Sequence, residues 1–261
     1  MRGLKNRMTL SEDGRYVYCI IEGGAGKSFG SIGISEQSRE VYTISFRDIS
    51  AVVSDTPLIE YEPSEKNAMA HENVVELVMF NHTVLPMRFC TIIKGDDGVR
   101  KMLESFYDEF KKNLVALKGK IEVGLKVYWD SAETEKKVAE TSGNIKTMRE
   151  EIAKKPQGAA YLLKLKLDAA IKGEALKQRE QYAEEIRRKL QKLAHETRSS
   201  ALIGEDMILN AAFLIDRETF KTFKEETERI LGGYRNDGLE FNFTGPWPPY
   251  SFVKIKKEVK G

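Results

Sequence analysis

A chain of 261 residues has room for two ordinary domains, or for one domain carrying a large insertion. With 41% hydrophobic and 31% charged residues, the composition is that of a globular protein with long solvated helices, which excludes a disordered chain. The 42 basic residues nearly cancel the 40 acidic ones, leaving +2, so no overall field directs the chain to nucleic acid or to an anionic membrane.

The first residues, MRGLKNRMTLSEDGR, are polar and lack the apolar core of a secretory signal, and no run of about 18 apolar residues follows. A cytoplasmic protein is expected. Residues 16–22 (YVYCIIE), 41–46 and 49–54 read as short strands rich in Val, Ile and Tyr. Between the first two lies GGAGKS, which reads as a hairpin loop. A phosphate loop would need glycine five positions before Gly26, where Ile21 stands. Residues 64–81 read as a helix capped by Ser64 after Pro63, with Met69, Val74, Leu77, Val78 and Asn81 near one face.

A strand, VLPMRFCTII, starts at Val84. A helix over residues 97–117 carries the stripe Val99, Leu103, Phe106, Phe110 and Leu114, and the strand IEVGLKVYW follows. Much later MILNAAFLI, a helix over about 217–231 and LEFNFTG repeat the order strand, helix, strand. Two such units predict an α+β protein whose C-terminal domain is ferredoxin-like. The expected domains are residues 1–83, small and α+β, and 84–261, with a helical insertion at about 131–206. Within that insertion a single helix is expected over residues 159–198, its seam marked by Tyr182, Ile186, Leu190 and Leu193. A hairpin packed on itself and on the sheet explains it more simply than an independent coiled coil.

At the C-terminal end, Leu239, Phe241 and Phe243 alternate with Glu240, Asn242 and Thr244, as in a strand with one wet face. Pro246, Pro248 and Pro249 then remove three backbone donors, which excludes a central strand there, leaves an edge, a bulge or a polyproline stretch, and holds Trp247 and Tyr250 on a stiff backbone. The segment reads as a rigid flap over a sheet edge or as a docking surface, and one does not preclude the other.

Catalytic apparatus is not visible. Cys19 and Cys90 sit far apart in apolar runs and read as buried, reduced core residues. His71 and His82 stand eleven positions apart, about 16 Å along a helix, too far to share a metal. His195 stands among charges with no carboxylate at a suitable spacing, so all three histidines read as surface or capping residues. No metal or cofactor is expected. Arg187, Arg188, Lys189 and Lys192 form a basic cluster that Glu184, Glu185 and Glu196 dilute, the pattern of a solvated helix face rather than an RNA surface. No serine elbow, kinase set or dinucleotide fingerprint occurs, and a binding or assembly role outranks catalysis.

Taken together and in this order, HENVVELVMFNHTVLPMRF, GKIEVGLKVYWD, GAAYLL, LNAAFLIDR and TGPWPPYSFV resemble the gas vesicle protein GvpL/GvpF family across nearly the whole chain. VLPMRF and TGPWPPYSFV are the most specific pieces. The chain departs from the family at Cys90, where the pattern usually has glycine. The resemblance implies an accessory protein of gas vesicle formation, not an enzyme, with two domains of which the C-terminal one has a modified ferredoxin fold. It implies as partners the small hydrophobic shell protein and other accessory proteins, with no nucleic acid and no membrane, and localisation to the gas vesicle. The expected partner-binding residues are Trp247 and Tyr250, held by Pro246, Pro248 and Pro249, together with Arg88. Pro86 is expected to keep Leu85 extended at a strand start. A small-molecule- or RNA-binding module on a ferredoxin-like sheet is the alternative.

Overall fold

The segment YVYCII lacks the alternation of a half-wet strand, which is the pattern of a strand covered on both faces. In the structure it forms the middle of β1 (Gly14–Glu22), with every residue from Tyr16 to Ile21 buried. The structure is a computed structural model and describes residues 13–34, 39–234 and 237–255, with backbone alone at 157–160. Contacts divide the chain into two units, Met1–Glu122 with Trp247–Gly261, and Val123–Pro246.

The first unit is an antiparallel sheet. After β1 come β2 (Ser28–Gly33), β3 (Arg39–Phe46), β4 (Ile49–Thr56), β5 (Val84–Pro86) and β6 (Ile92–Lys94), in the order β2-β3-β4-β1-β5 with β6 also on β1. GGAGKS therefore joins two strands that do not pair with each other and is not a hairpin loop. β1 pairs with β4, while β2 lies at the sheet edge beside β3. VLPMRFCTII is likewise not one strand. Its two ends pair with different parts of β1, Leu85 opposite Ile20 and Ile93 opposite Arg15, and the chain bends between them. This segment, expected to open the second domain, thus belongs to the first sheet.

The bend gives Cys90 an uncommon backbone conformation. Its φ is +62°, in the left-handed region that favours glycine, and its Sγ accepts a hydrogen bond from the Tyr61 amide at 3.2 Å. Cys90 is half-buried rather than a core residue, while Cys19 is fully buried. Cys90→Gly is expected to be more stable than Cys90→Ala by about 1 kcal/mol in urea unfolding, since both lose the thiol and only alanine keeps the strain. Equal midpoints would show that the fold does not feel this backbone conformation.

Helices cover the sheet. α1 (Glu65–Met79) starts at Ser64, whose Oγ accepts a hydrogen bond from the Asn67 amide, and buries Val74, Val75 and Val78. The helix expected over 97–117 is two, α2 (Gly95–Ser105) and α3 (Tyr107–Leu117), because Phe106 adopts φ −112° and ψ 17°. The apolar stripe continues across the break, so periodicity alone could not reveal it. Arg15 on β1 donates to Asp96 in the first turn of α2 at 2.7 Å, fastening helix to sheet.

The second unit continues the chain from β7 (Lys120–Trp129). Three helices follow, α4 (Ser131–Thr141), α5 (Gly143–Ala153) and α6 (Gln157–Gln191), and then β8 (Glu196–Ser199), β9 (Met207–Asp216), α7 (Phe220–Gly232) and β10 (Leu239–Trp247). The sheet order is β10-β7-β9-β8. Strand, crossover, two strands, helix and strand in that succession make a ferredoxin-like topology. It starts at β7, however, not at Val84, and α4 to α6 replace the first crossover helix instead of separating two halves. β8 was not expected. α6 stops at Gln191, so Arg198 lies in a strand rather than in the helix.

β7 alternates strictly, burying Ile121, Val123, Leu125, Val127 and Trp129. A Cβ on its Gly124 would stand 2.6 Å from Thr244 Oγ1 on β10, so only glycine permits that approach. Asp130 and Ser142 cap α4 and α5, which pack on α6, and α6 packs on β9. Ile186 and Leu190 of the expected seam are buried, while Leu193 is exposed. No helix among the described residues is long and apolar enough to cross a membrane.

Candidate functional site

The two most specific sequence pieces meet at one cleft in the first unit. Pro86, Met87, Arg88 and Thr91 contribute one stretch of its wall, Met102, Phe106 and Phe110 of the α2–α3 region another, and Tyr250, Val253 and Ile255 a third, around about 530 Å³. Each wall has its own anchorage. The Met87 amide donates to the Tyr18 carbonyl of β1 at 2.9 Å, and the Arg88 carbonyl accepts from the Thr91 hydroxyl at 2.7 Å.

The C-terminal wall is tied down by two polar side chains. Glu122 accepts both the Ser251 amide, at 2.8 Å, and its hydroxyl, at 2.7 Å. Asn113 accepts the Lys254 amide at 2.8 Å and donates to its carbonyl at 3.0 Å, completing a two-point clamp on the backbone. Prolines prepare the segment for this. Buried Pro248 and Pro249 lead into a single 3-10 turn, Tyr250–Phe252, with the Tyr250 amide donating to the Pro248 carbonyl.

Of the six residues expected to bind a partner, Tyr250 and Arg88 line the cleft and the others do not. Pro248 and Pro249 are buried, and exposed Pro246 lies in edge strand β10 after a cis peptide bond. Trp247 ends that strand and is 37% exposed. The Arg88 guanidinium has no ion-pair partner among the described residues. Asn113 and Glu122, which set the geometry, were not expected. Asn113 carried a signal, a polar residue in phase with Phe110, Leu114 and Leu117 on α3.

Behind Tyr250 lies a buried aromatic cluster. His71 is only 2% exposed, not a surface residue, and its ring stands 6.1 Å from that of Tyr250, centre to centre. Nδ1 of His71 pairs with the Tyr16 hydroxyl at 3.0 Å, while Nε2 and the Tyr250 hydroxyl are buried without a hydrogen bond of ordinary geometry. Burial lowers the His71 pKa to about 4, with the Met87 backbone acting in the other direction. Burial likewise raises the Tyr250 pKa, and the Tyr18 pKa to about 12, so the cluster is neutral at ordinary pH.

A second hollow, in the second unit, holds about 670 Å³ between Lys192, His195, Asp216, Phe223 and Arg229. His195 has a carboxylate after all: its Nε2 pairs with Asp216 at 2.8 Å, across a loop that sequence spacing does not show. The pair is half exposed, and Arg229 is taken up by Glu226. Among the described residues no three His, Cys, Asp or Glu side chains gather as a metal site.

The first cleft is thus a mainly apolar slot with two methionines, three aromatic rings and one free guanidinium. Methionine adapts its shape, and such a lining suits an apolar segment with a polar or acidic end. The chain matches the family model described as "Gas vesicle synthesis protein GvpL/GvpF" over residues 14–254 and belongs to that family. It is 24% identical to gas vesicle protein L1 of Halobacterium salinarum, covering 95% of this chain and 93% of the relative. Gas vesicle protein L of a Streptomyces species is 30% identical over 73% of this chain and 70% of its own length. The crystal structure of GvpF from Anabaena sp. PCC7120 superposes with a TM-score of 0.82 at 25% identity, covering 94% of this chain and 99% of that one. Family membership assigns the chain a role in gas vesicle formation.

Proposed function

We propose that this protein binds the hydrophobic shell protein of the gas vesicle through the cleft of the first unit and assists its nucleation or assembly. The observation that carries the reading is the convergence of VLPMRF and TGPWPPYSFV on one apolar slot. A shell that excludes water is built from subunits with apolar faces and strand edges, which aggregate unless covered before assembly. A preformed slot covers such a face at little ordering cost, because the prolines and the Asn113 clamp have already fixed its wall. Other accessory proteins of vesicle formation are further partners in this reading, and binding is its whole activity, with no catalytic step.

The test is co-expression with the shell protein and capture of soluble shell protein on the tagged chain. Phe106 is 36% exposed and lines the slot, so Phe106→Asp is expected to reduce captured shell protein about tenfold while the circular dichroism spectrum is retained. Trp247→Ala, outside the slot, is expected to capture normally. The reverse pattern would transfer docking to the proline-aromatic segment, and normal capture by Phe106→Asp would remove the cleft from the interaction.

A further inference from the structure

Two helices expose apolar residues that the fold itself does not use. On α1, Met69, Leu77 and Phe80 just past its end are exposed, Phe80 by 81%. Glu65, Glu72 and Glu76 lie along the same face against a single Lys66, since positions 65, 69, 72, 76 and 80 recur at helical spacing. None of these three carboxylates has an ion-pair partner among the described residues. Burial and the neighbouring Glu72 both raise the pKa of Glu76.

On the early part of α6, Tyr161, Leu162, Leu165 and Leu176 are exposed, Tyr161 by 69%. Positions 162, 165, 169, 172 and 176 form one stripe, and the lysines on this stretch are Lys164, Lys166 and Lys172 against Asp168 and Glu174, of which Glu174 accepts a hydrogen bond from Asn144. The lysines have no carboxylate partner among the described residues. One surface is therefore apolar with a surplus of two negative charges, three less one, and the other apolar with a surplus of one positive charge, three less two.

We infer that copies of this chain associate head to tail, the acidic apolar face of α1 in one copy docking on the basic apolar stripe of α6 in the next. The occupant of each surface is a second copy because the complement of each is the other. Pairing α1 with α1 or α6 with α6 would bring like charges together, which disfavours contact of either helix with its own counterpart. A contact between two different patches closes at once only where two copies make it reciprocally. Otherwise it grows into a ring or a chain of copies. The inference does not depend on what occupies the cleft.

The test is molar mass against concentration by light scattering and sedimentation, on the full chain and on two variants with altered exposed charges. The intact chain is expected to gain mass with concentration and to lose it between about 0.05 M and about 0.5 M salt. Glu72→Lys with Glu76→Lys, and separately Lys166→Glu with Lys172→Glu, should each weaken association about tenfold or more, with unchanged circular dichroism. Mixing the two variants should restore it, since each carries the intact complement of the other. A chain that is monomeric at every concentration and salt overturns the inference. So does loss of association in the α6 variant alone, which would mean that α6 pairs with itself.

Discussion

Lowering the pH from 7 to 5 is expected to remove about 2 kcal/mol of stability through His71 alone. The folded protein holds this ring at a pKa of about 4, because burial disfavours the charged form, whereas an unfolded chain has the ordinary 6.5. Above pH 6.5 both states are neutral and the full stability is present. Between pH 6.5 and 4 the unfolded state binds a proton that the native state refuses, so stability falls as pH falls. Below 4 both are protonated and this contribution stops changing, after a total loss of about 3 kcal/mol. Urea unfolding at pH 7 and pH 5 measures it. His71→Gln, whose side chain does not titrate, is expected to flatten the difference; an equal loss in the variant would place the sensitive group elsewhere.

Tyr250 gives the second large effect, and its sign depends on which part of the side chain is removed. Tyr250→Ala strips a cleft wall and the ring against His71, and is expected to cost about 3 to 5 kcal/mol and to abolish shell-protein capture. Tyr250→Phe removes only a buried hydroxyl without a hydrogen bond, so the variant should be as stable as the parent or more stable by about 1 kcal/mol. Thermal unfolding of the two variants separates these cases. A loss of about 1 kcal/mol or more in Tyr250→Phe would mean that the hydroxyl has a partner such as a bound water. Tyr250 lines the cleft.

Much of the fold was legible because periodicity reports local burial. The apolar run of β1, the alternation of β7 and the Ser64 cap of α1 each stand where the residues placed them. What failed was pairing. VLPMRFCTII looks like one strand because its residues are apolar throughout, and nothing local says that a left-handed Cys90 turns the chain so that both ends meet β1. The same ambiguity moved the start of the ferredoxin-like succession from β7 back to Val84. β8, with the sequence ETRS, has no apolar pattern and exists because β9 offers it an edge.

The site was legible only in part. Arg88 and Tyr250 were selected from motifs, and both line the cleft, while Trp247 and the three prolines lie in the same segment outside it. His71 was misread because a lone histidine on a helix looks the same from sequence whether its neighbours are water or Tyr16 and Tyr18. Asn113 and Glu122 act on backbone well over a hundred positions away, a relation that no spacing rule contains.

The first unit begins the chain and is completed by its last described residues, with the second unit spliced between Glu122 and Trp247. During synthesis the ferredoxin-like unit can therefore fold on the ribosome while the first sheet still lacks a cleft wall. Only when residues 250–255 have left the exit tunnel can Glu122 and Asn113 capture them. The slot is thus completed after the second unit has been synthesised, and a chain stalled before residue 250 would carry a folded second unit and a slot without its C-terminal wall.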